Sequence, residues 1–150
     1  MSSTSYSGTT LYAGFWRRVI AYFIDAIVVW VVLGVLIGIV SLVGGTLVDD
    51  SGAVNPALFL LYPLVLIGIW LYFALMESSA SQATLGKMAL SIKVTDIEGR
   101  RIGFGRATGR WFGKFVSGAI LYIGFMMAGW TAKKQALHDM MAGTLVIRSL

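Results

Sequence analysis

One carboxylate stands inside an otherwise uncharged apolar run: Asp25, within residues Val19 to Val43. A carboxylate in such a setting can bind a monovalent cation and a proton in turn, which is ion or proton site chemistry; equally, it can form a structural ion pair that fixes helix packing. Arg18 lies seven residues earlier, which on a helix is about 10 Å away along the axis and about 20° around it, so the two share a face. Helical side chains lean toward the N-terminus, however, so Arg18 reaches away from Asp25. An ionised Asp costs about 2.5 to 3.5 kcal/mol at mid-membrane and less at this depth, and something must compensate it. The expected partner is a basic group from another element, with Arg110 and Lys114 the candidates if the later part of the chain folds back.

Other side chains offer less. His138 and Asp139 are adjacent in a short helical stretch, where consecutive positions do not face each other, so a catalytic dyad is not expected and a solvated face or a cap is. Glu77 reads as a helix-end carboxylate at the headgroup level. Gly34 and Gly38 have the small-xxx-small spacing of a packing face, roughly opposite Asp25, although glycines are common in membrane helices in any case. The seven methionines occupy scattered apolar positions and read as packing. Absence of cysteine removes disulfides, thiolate zinc, iron–sulfur clusters and a thiol nucleophile, and one histidine leaves almost no material for a metal site or a Ser/His relay. No metal, no cofactor and no enzymatic activity are expected.

The elements that must position these residues follow from composition. The 150 residues are 57% hydrophobic and 13% charged, about half the charge of a soluble domain. At about 20 apolar residues per span, two to four spans fill the chain. Residues 1–12 read as a disordered Ser/Thr-rich leader and 13–150 as a single membrane domain. Val19 to Val43 is too long for a secretory signal and reads as a first transmembrane helix, anchored by Phe15, Trp16, Arg17 and Arg18 at a cytoplasmic N-terminal end. Gly44 and Gly45 stop it, and Asp49 and Asp50 lie in an outside loop. Asn55 and Pro56 start a second span, Ala57 to Met76, with a mild kink at Pro63.

Between Ser78 and Arg110 six basic residues outnumber Asp96 and Glu98, marking a cytoplasmic loop. Gln82 to Leu90 reads as a short amphipathic helix, Ser91 to Thr95 as an alternating strand, and Asp96 to Gly99 as a turn leading into a β-hairpin through Arg101, Ile102 and Phe104. Trp111 to Thr131 is a third apolar segment, either one span or a helical hairpin bent around Gly118 to Gly124. The hairpin puts the closing strand, Thr144 to Ile147, on the same side as the Ile92 strand, with which it is expected to pair. Lys134 to Ala142 reads as a short surface helix ended by Gly143. The fold class is thus an all-α polytopic membrane protein: two long transmembrane helices, a third apolar segment, and a small cytoplasmic β-hairpin paired to a C-terminal strand. The net charge of +5 fits anionic lipid headgroups at the cytoplasmic face of the bilayer rather than nucleic acid.

These residues resemble the RDD family of small membrane proteins, named for one Arg and two Asp. The stretch Gly14-Phe15-Trp16-Arg17-Arg18-Val19-Ile20-Ala21-Tyr22-Phe23-Ile24-Asp25 is similar to the family's opening pattern, with its Arg at Arg18 and its first Asp at Asp25. Gln82-Ala83-Thr84-Leu85-Gly86-Lys87 resembles its Gln-x-Thr-x-Gly-Lys stretch, Arg106 and Arg110 its basic residues before the last apolar segment, and Gln135 to Val146 its closing pattern. The resemblance puts the second Asp at Asp139, which spacing alone leaves a surface charge. It implies transport of an undefined ligand, with monovalent cation/proton exchange one form. Asp25 would then bind cation or proton, Arg18 or Arg110 would tune it, and Asp139 would sit at the cytoplasmic mouth. So few spans enclose little interior, so a homo-oligomer in the inner (plasma) membrane is expected. The alternative is a non-transporting accessory or assembly protein whose Arg and Asp residues are structural or contact lipid headgroups.

Overall fold

The computed structural model describes residues 11–45, 47–120 and 123–149. The expected disordered leader lies outside these residues up to position 10. Its last two residues, Leu11 and Tyr12, are laid along the C-terminal strand: Tyr12 bridges Ile147, and Leu11 accepts a backbone bond from Arg148.

Two helices dominate. Helix α1 spans Phe15–Gly44 and α2 spans Ala57–Ser78. Phe15–Val43 and Leu58–Ser78 are long and apolar enough to cross a membrane. Thirty residues of α1 extend about 45 Å, beyond the ~30 Å of a hydrocarbon core, so its first turns, with Arg17 and Arg18, have length to spare outside. Past Asp25 no side chain described in α1 is buried, and Trp30, Leu42 and Val43 are left for lipid to cover. Pro63 sits inside α2 without ending it. Gly34 and Gly38, expected to mark a packing face, are exposed and have no atom within 4 Å of where a Cβ would stand.

The remaining elements gather at the other end of these helices. They are α3 (Leu85–Ala89), β1 (Ile92–Asp96), α4 (Phe104–Ala119), α5 (Ile123–Met126) with a 3-10 turn over Met127–Gly129, α6 (Leu137–Ala142) and β2 (Thr144–Arg148). Strands β1 and β2 pair antiparallel with Val94 opposite Val146, the pairing expected from the sequence, so both lie at one end of the molecule. Gln82 bonds Val94 on the outer edge of β1, and Ala13 donates to Val146 on the outer edge of β2, which closes both edges. The anticipated hairpin through Arg101 to Phe104 does not continue. Asp96 takes the backbone N–H groups of Glu98 and Arg100 on its carboxylate, the turn tightens, and the chain enters α4 at Phe104.

The third apolar segment is not one straight helix. Helix α4 ends at Ala119, and the α5 segment is inclined to it by 116°. Ala107, Arg110, Gly113 and Ser117 recur at helical spacing and face inward, against α2 and α6. Gly124 makes the return possible: a Cβ there would stand 3.0 Å from the Ser117 Cα on α4. A small core of Ala13, Ala21, Ala74, Ile92, Val94 and Val146, joined by Ile102 and Ala107, sits under the sheet, with Trp70 and Leu90 packed on it.

Candidate functional site

The sequence turns charged side chains inward from five elements at one end of the molecule. Helix α1 contributes Arg18 one turn from its start, α2 Glu77 one residue before its end, α3 Lys87, α4 Arg110 and Lys114, and α6 Asp139. Arg110 is the hub, 1% exposed. Its Nε and Nη2 donate to Asp139 Oδ1 at 3.0 and 2.6 Å, and its Nη1 donates to Glu77 Oε2 at 2.6 Å. Arg18 closes the far side, donating to Asp139 Oδ2 and to the carbonyls of Ala13 and Lys134. Lys87 donates to Glu77 Oε1, which Lys114 approaches to 3.9 Å while its ammonium stands 4.3 Å above the Phe73 ring. Such a network holds only because partners are complete, since one buried charge left alone costs several kcal/mol. Among the described residues no buried side-chain nitrogen or oxygen lacks a partner.

Asp139 earns its place locally as well. As the third residue of α6 it accepts the Ala136 backbone N–H at 3.1 Å on Oδ2, so it both starts its own helix and faces the two arginines. Burial alone would push its carboxyl up; Arg110 and Arg18 together outweigh this and hold it well below the usual carboxylate range. The neighbouring His138 is buried between α4 and α5, its ring 4.9 Å from that of Phe125. Burial pushes its imidazole down to about 3, against the pull of Asp139, so it is neutral at physiological pH. Burial likewise lowers the Lys87 ammonium, with Glu77 opposing.

Asp25 is held apart from this cluster. It is 1% exposed, and its carboxylate accepts three neutral donors: the Tyr72 hydroxyl at 2.8 Å, the Thr84 hydroxyl at 2.6 Å and the Gly86 backbone N–H at 2.8 Å. Tyr72 is itself oriented by the Leu85 N–H, which donates to its oxygen at 3.1 Å. The cradle depends on a bare backbone at Gly86, where a Cβ would stand 2.0 Å from the Ala21 carbonyl oxygen.

Several expectations are corrected by this geometry. Neither Arg110 nor Lys114 pairs with Asp25, and neither does Arg18: the first is consumed by Asp139 and Glu77, the second leans over Phe73 toward Glu77, and the third points to the helix start. Glu77 is no headgroup carboxylate; it is 1% exposed and carries three cations. His138 and Asp139 do not form a solvated face, and His138 Nε2 comes within 3.5 Å of Asp139 Oδ1. Met140 and Met141 take the exposed side of α6 instead. Glu77, Lys87, Tyr72, Thr84 and Gly86 are the site residues that side-chain chemistry alone missed. Thr84, Gly86 and Lys87 stand in the stretch that carries the family resemblance, and Glu77 is the one carboxylate of an otherwise uncharged span.

Between the two groups lies a cavity of about 370 Å³. Asp25, Arg18, Lys87, Arg110, Lys114 and His138 contribute to its wall, with apolar side chains of α1, α2 and α5 making up most of the rest. Among the described residues no three His, Asp or Glu side chains gather as a metal site would require.

Two long apolar helices, joined at one end by a buried arginine–carboxylate cluster, define a membrane protein. The chain belongs to the RDD family, whose sequence profile matches residues 12–143 and so takes in Arg18, Asp25 and Asp139. It is 38% identical over 149 residues to "Uncharacterized protein YxaI" of Bacillus subtilis (strain 168), covering 90% of this chain and 96% of that one. It is 29% identical over 146 residues to "Uncharacterized membrane protein YteJ" of the same organism, covering 93% and 82%. A shorter likeness, 33% over 66 residues, covers 43% of this chain and 28% of "Proline-rich antigen homolog" of Mycobacterium tuberculosis (strain ATCC 25618 / H37Rv). No solved structure matches the chain.

Proposed function

We propose that this RDD family protein is a small transport unit that takes a ligand into the cavity between Asp25 and the charge cluster. The observation that carries the reading is the cavity itself. A mostly apolar space of about 370 Å³ at the root of two apolar helices, with a few charged side chains in its wall, lets a solute leave water without losing all its polar contacts. Asp25 is the group suited to couple uptake to a proton: Thr84 Oγ1, which donates to it, can reverse and accept when Asp25 Oδ2 is protonated, whereas Tyr72 is committed as a donor by the Leu85 N–H. Exchange of a monovalent cation for a proton remains the form of coupling that uses Asp25 alone. Four cations in the same wall, Arg18, Lys87, Arg110 and Lys114, work against a cationic ligand there.

The basic residues at the clustered end support an orientation with the N-terminus and the sheet in the cytoplasm, Asp49 and Asp50 outside, and two or more spans in the plasma membrane. The uncovered length of α1 supports contact with lipid and with further copies of the chain. The accessory reading has its own support, since Arg18 and Asp139 are saturated by structural partners. Proteoliposomes enclosing a pH-sensitive dye separate the two. Pulses of sodium, potassium, acetate and hexanoate are applied to wild type and to Asp25→Asn. Transport predicts that at least one solute gives a pH change absent from empty vesicles and lost in the variant; identical traces for wild type, variant and empty vesicles overturn it.

A further inference from the structure

The charge balance around the cavity is uneven. Arg18, Lys87, Arg110 and Lys114 line it, and the carboxylates that answer them are Glu77 and Asp139, both already saturated; Asp25 in the opposite wall is the third. Four cations against three carboxylates leave one formal positive charge in a wall that is mostly apolar. An uncompensated buried charge is costly, and an anion is what relieves it.

The surplus has an address. Arg110 and Arg18 spend their guanidinium donors on Asp139, Glu77 and backbone carbonyls, and Lys87 is bonded to Glu77. Lys114 is different: among the described residues its ammonium reaches only Glu77, at a loose 3.9 Å, and the face of Phe73. It therefore keeps donors for a ligand. Away from Lys114 the wall turns apolar, through Val19, Phe15, Phe125 and Met126, and ends at a rim of Tyr22 and Phe23. These last two are 58% and 60% exposed, on a helix whose outer surface is apolar, so the rim faces where lipid chains would be. The space equals about a dozen waters at about 30 Å³ each, which suits one chain and one head better than a two-chain lipid.

We propose that the cavity binds a single-chain amphiphilic monoanion, its acidic head on Lys114 and its apolar body between α1 and α5. The proposal deepens the transport reading and rests on the same cavity being a ligand site. A head of carboxylate type and one of phosphate type share the required chemistry, and the test separates them.

The protein is placed in phosphatidylcholine nanodiscs at neutral pH and labelled with a photoreactive long-chain carboxylate, with dodecanoate, dodecyl phosphate, dodecyltrimethylammonium and acetate as competitors. Labelling of peptides from α1 and α5, displaced by dodecanoate or dodecyl phosphate and not by the cationic amphiphile, is the expected result; which of the two anions displaces better identifies the head. Lys114→Gln should weaken binding about tenfold, the loss of one charge-assisted contact, and Lys114→Arg should retain it. Lys133→Gln, at an exposed site, should change nothing. Equal displacement by the cationic amphiphile, or equal weakening by Lys133→Gln, would show mere attraction to a basic surface and overturn the proposal. Binding without solute flux in the vesicle assay would leave the ligand site standing and remove transport, whereas flux of sodium or potassium without anion binding would do the reverse.

Discussion

Removing Arg110 is the perturbation whose outcome the structure constrains most closely. Its side chain is 2% exposed and supplies three bonds to two carboxylates, at 3.0, 2.6 and 2.6 Å. In Arg110→Met, Asp139 keeps Arg18 and Glu77 keeps Lys87, so neither carboxylate is abandoned, but each loses a buried charge-assisted contact. Breaking a buried pair from one side costs about 3 to 5 kcal/mol, and that is the predicted loss of stability. Arg110→Lys should lose much of the same amount, because one ammonium cannot reach Asp139 and Glu77 together as the guanidinium fork does. Reversible unfolding in mixed micelles by sodium dodecyl sulfate, followed by tryptophan fluorescence, measures both. In a Glu77→Gln background the Arg110→Met change should cost at least about 1.5 kcal/mol less, since the two share a bond. A loss below about 1 kcal/mol, or additive effects in the double variant, would refute the hub assignment.

Other predictions are as direct. His138 is held neutral by burial, with a folded pKa near 3 against 6.5 in the unfolded chain, so the unfolded state binds the extra proton and stability falls as pH drops through that window. Asp139, whose carboxyl lies well below its usual 3.8, adds a second loss only at more acidic pH; in thermal melts His138→Gln should flatten the limb between about pH 6.5 and 4 and leave the lower one. Gly86→Ala should destabilise by about 3 kcal/mol through its clash with the Ala21 carbonyl, while Gly34→Ala and Gly38→Ala, in open space, should stay within about 1 kcal/mol of wild type in the same unfolding assay. Cysteines introduced one at a time by Ser91→Cys and Ser149→Cys should be labelled by an impermeant reagent from one side of the membrane and Ser51→Cys from the other, because Ser149 donates its backbone N–H to Ser91 whereas Ser51 lies in the loop between α1 and α2.

The elements were largely legible because each has a local cause. Apolar runs gave α1 and α2 to within a few residues, alternation gave β1, and Gly143 ends α6 in the left-handed conformation at φ 60° that a helix stop uses. Pairing of the Ile92 and Thr144 runs was expected from their strand-like patterns, and it is the pairing that requires one side of the membrane for both. The site was less legible because its contacts join residues far apart in the chain. Arg18 and Asp25 share a helix face, yet one reaches back to Asp139, 121 residues on, and the other forward to Thr84 and Gly86. Glu77 at the end of an apolar span looks the same in sequence whether it meets headgroups or Arg110. His138 and Asp139 point about 100° apart on an ideal helix, but a helix of six residues packed on α4, with Phe125 of α5 against His138 and Arg18 of α1 reaching Asp139, buries both directions.

Whether the cavity between α1 and the charge cluster is open to a ligand and prefers anions can be read directly in a chain without native cysteine. Val19→Cys puts a thiol in the cavity wall, and Ile27→Cys puts one on the exposed face of α1 two turns on. Modification rates with a negatively charged sulfonate reagent and a positively charged trimethylammonium reagent are then compared in nanodiscs. The thiol at position 19 should react, and faster with the anionic reagent; Lys114→Gln should abolish that preference, and the thiol at position 27 should react with neither. No reaction at position 19, or a faster reaction there with the cationic reagent, would contradict an open cavity that prefers anions.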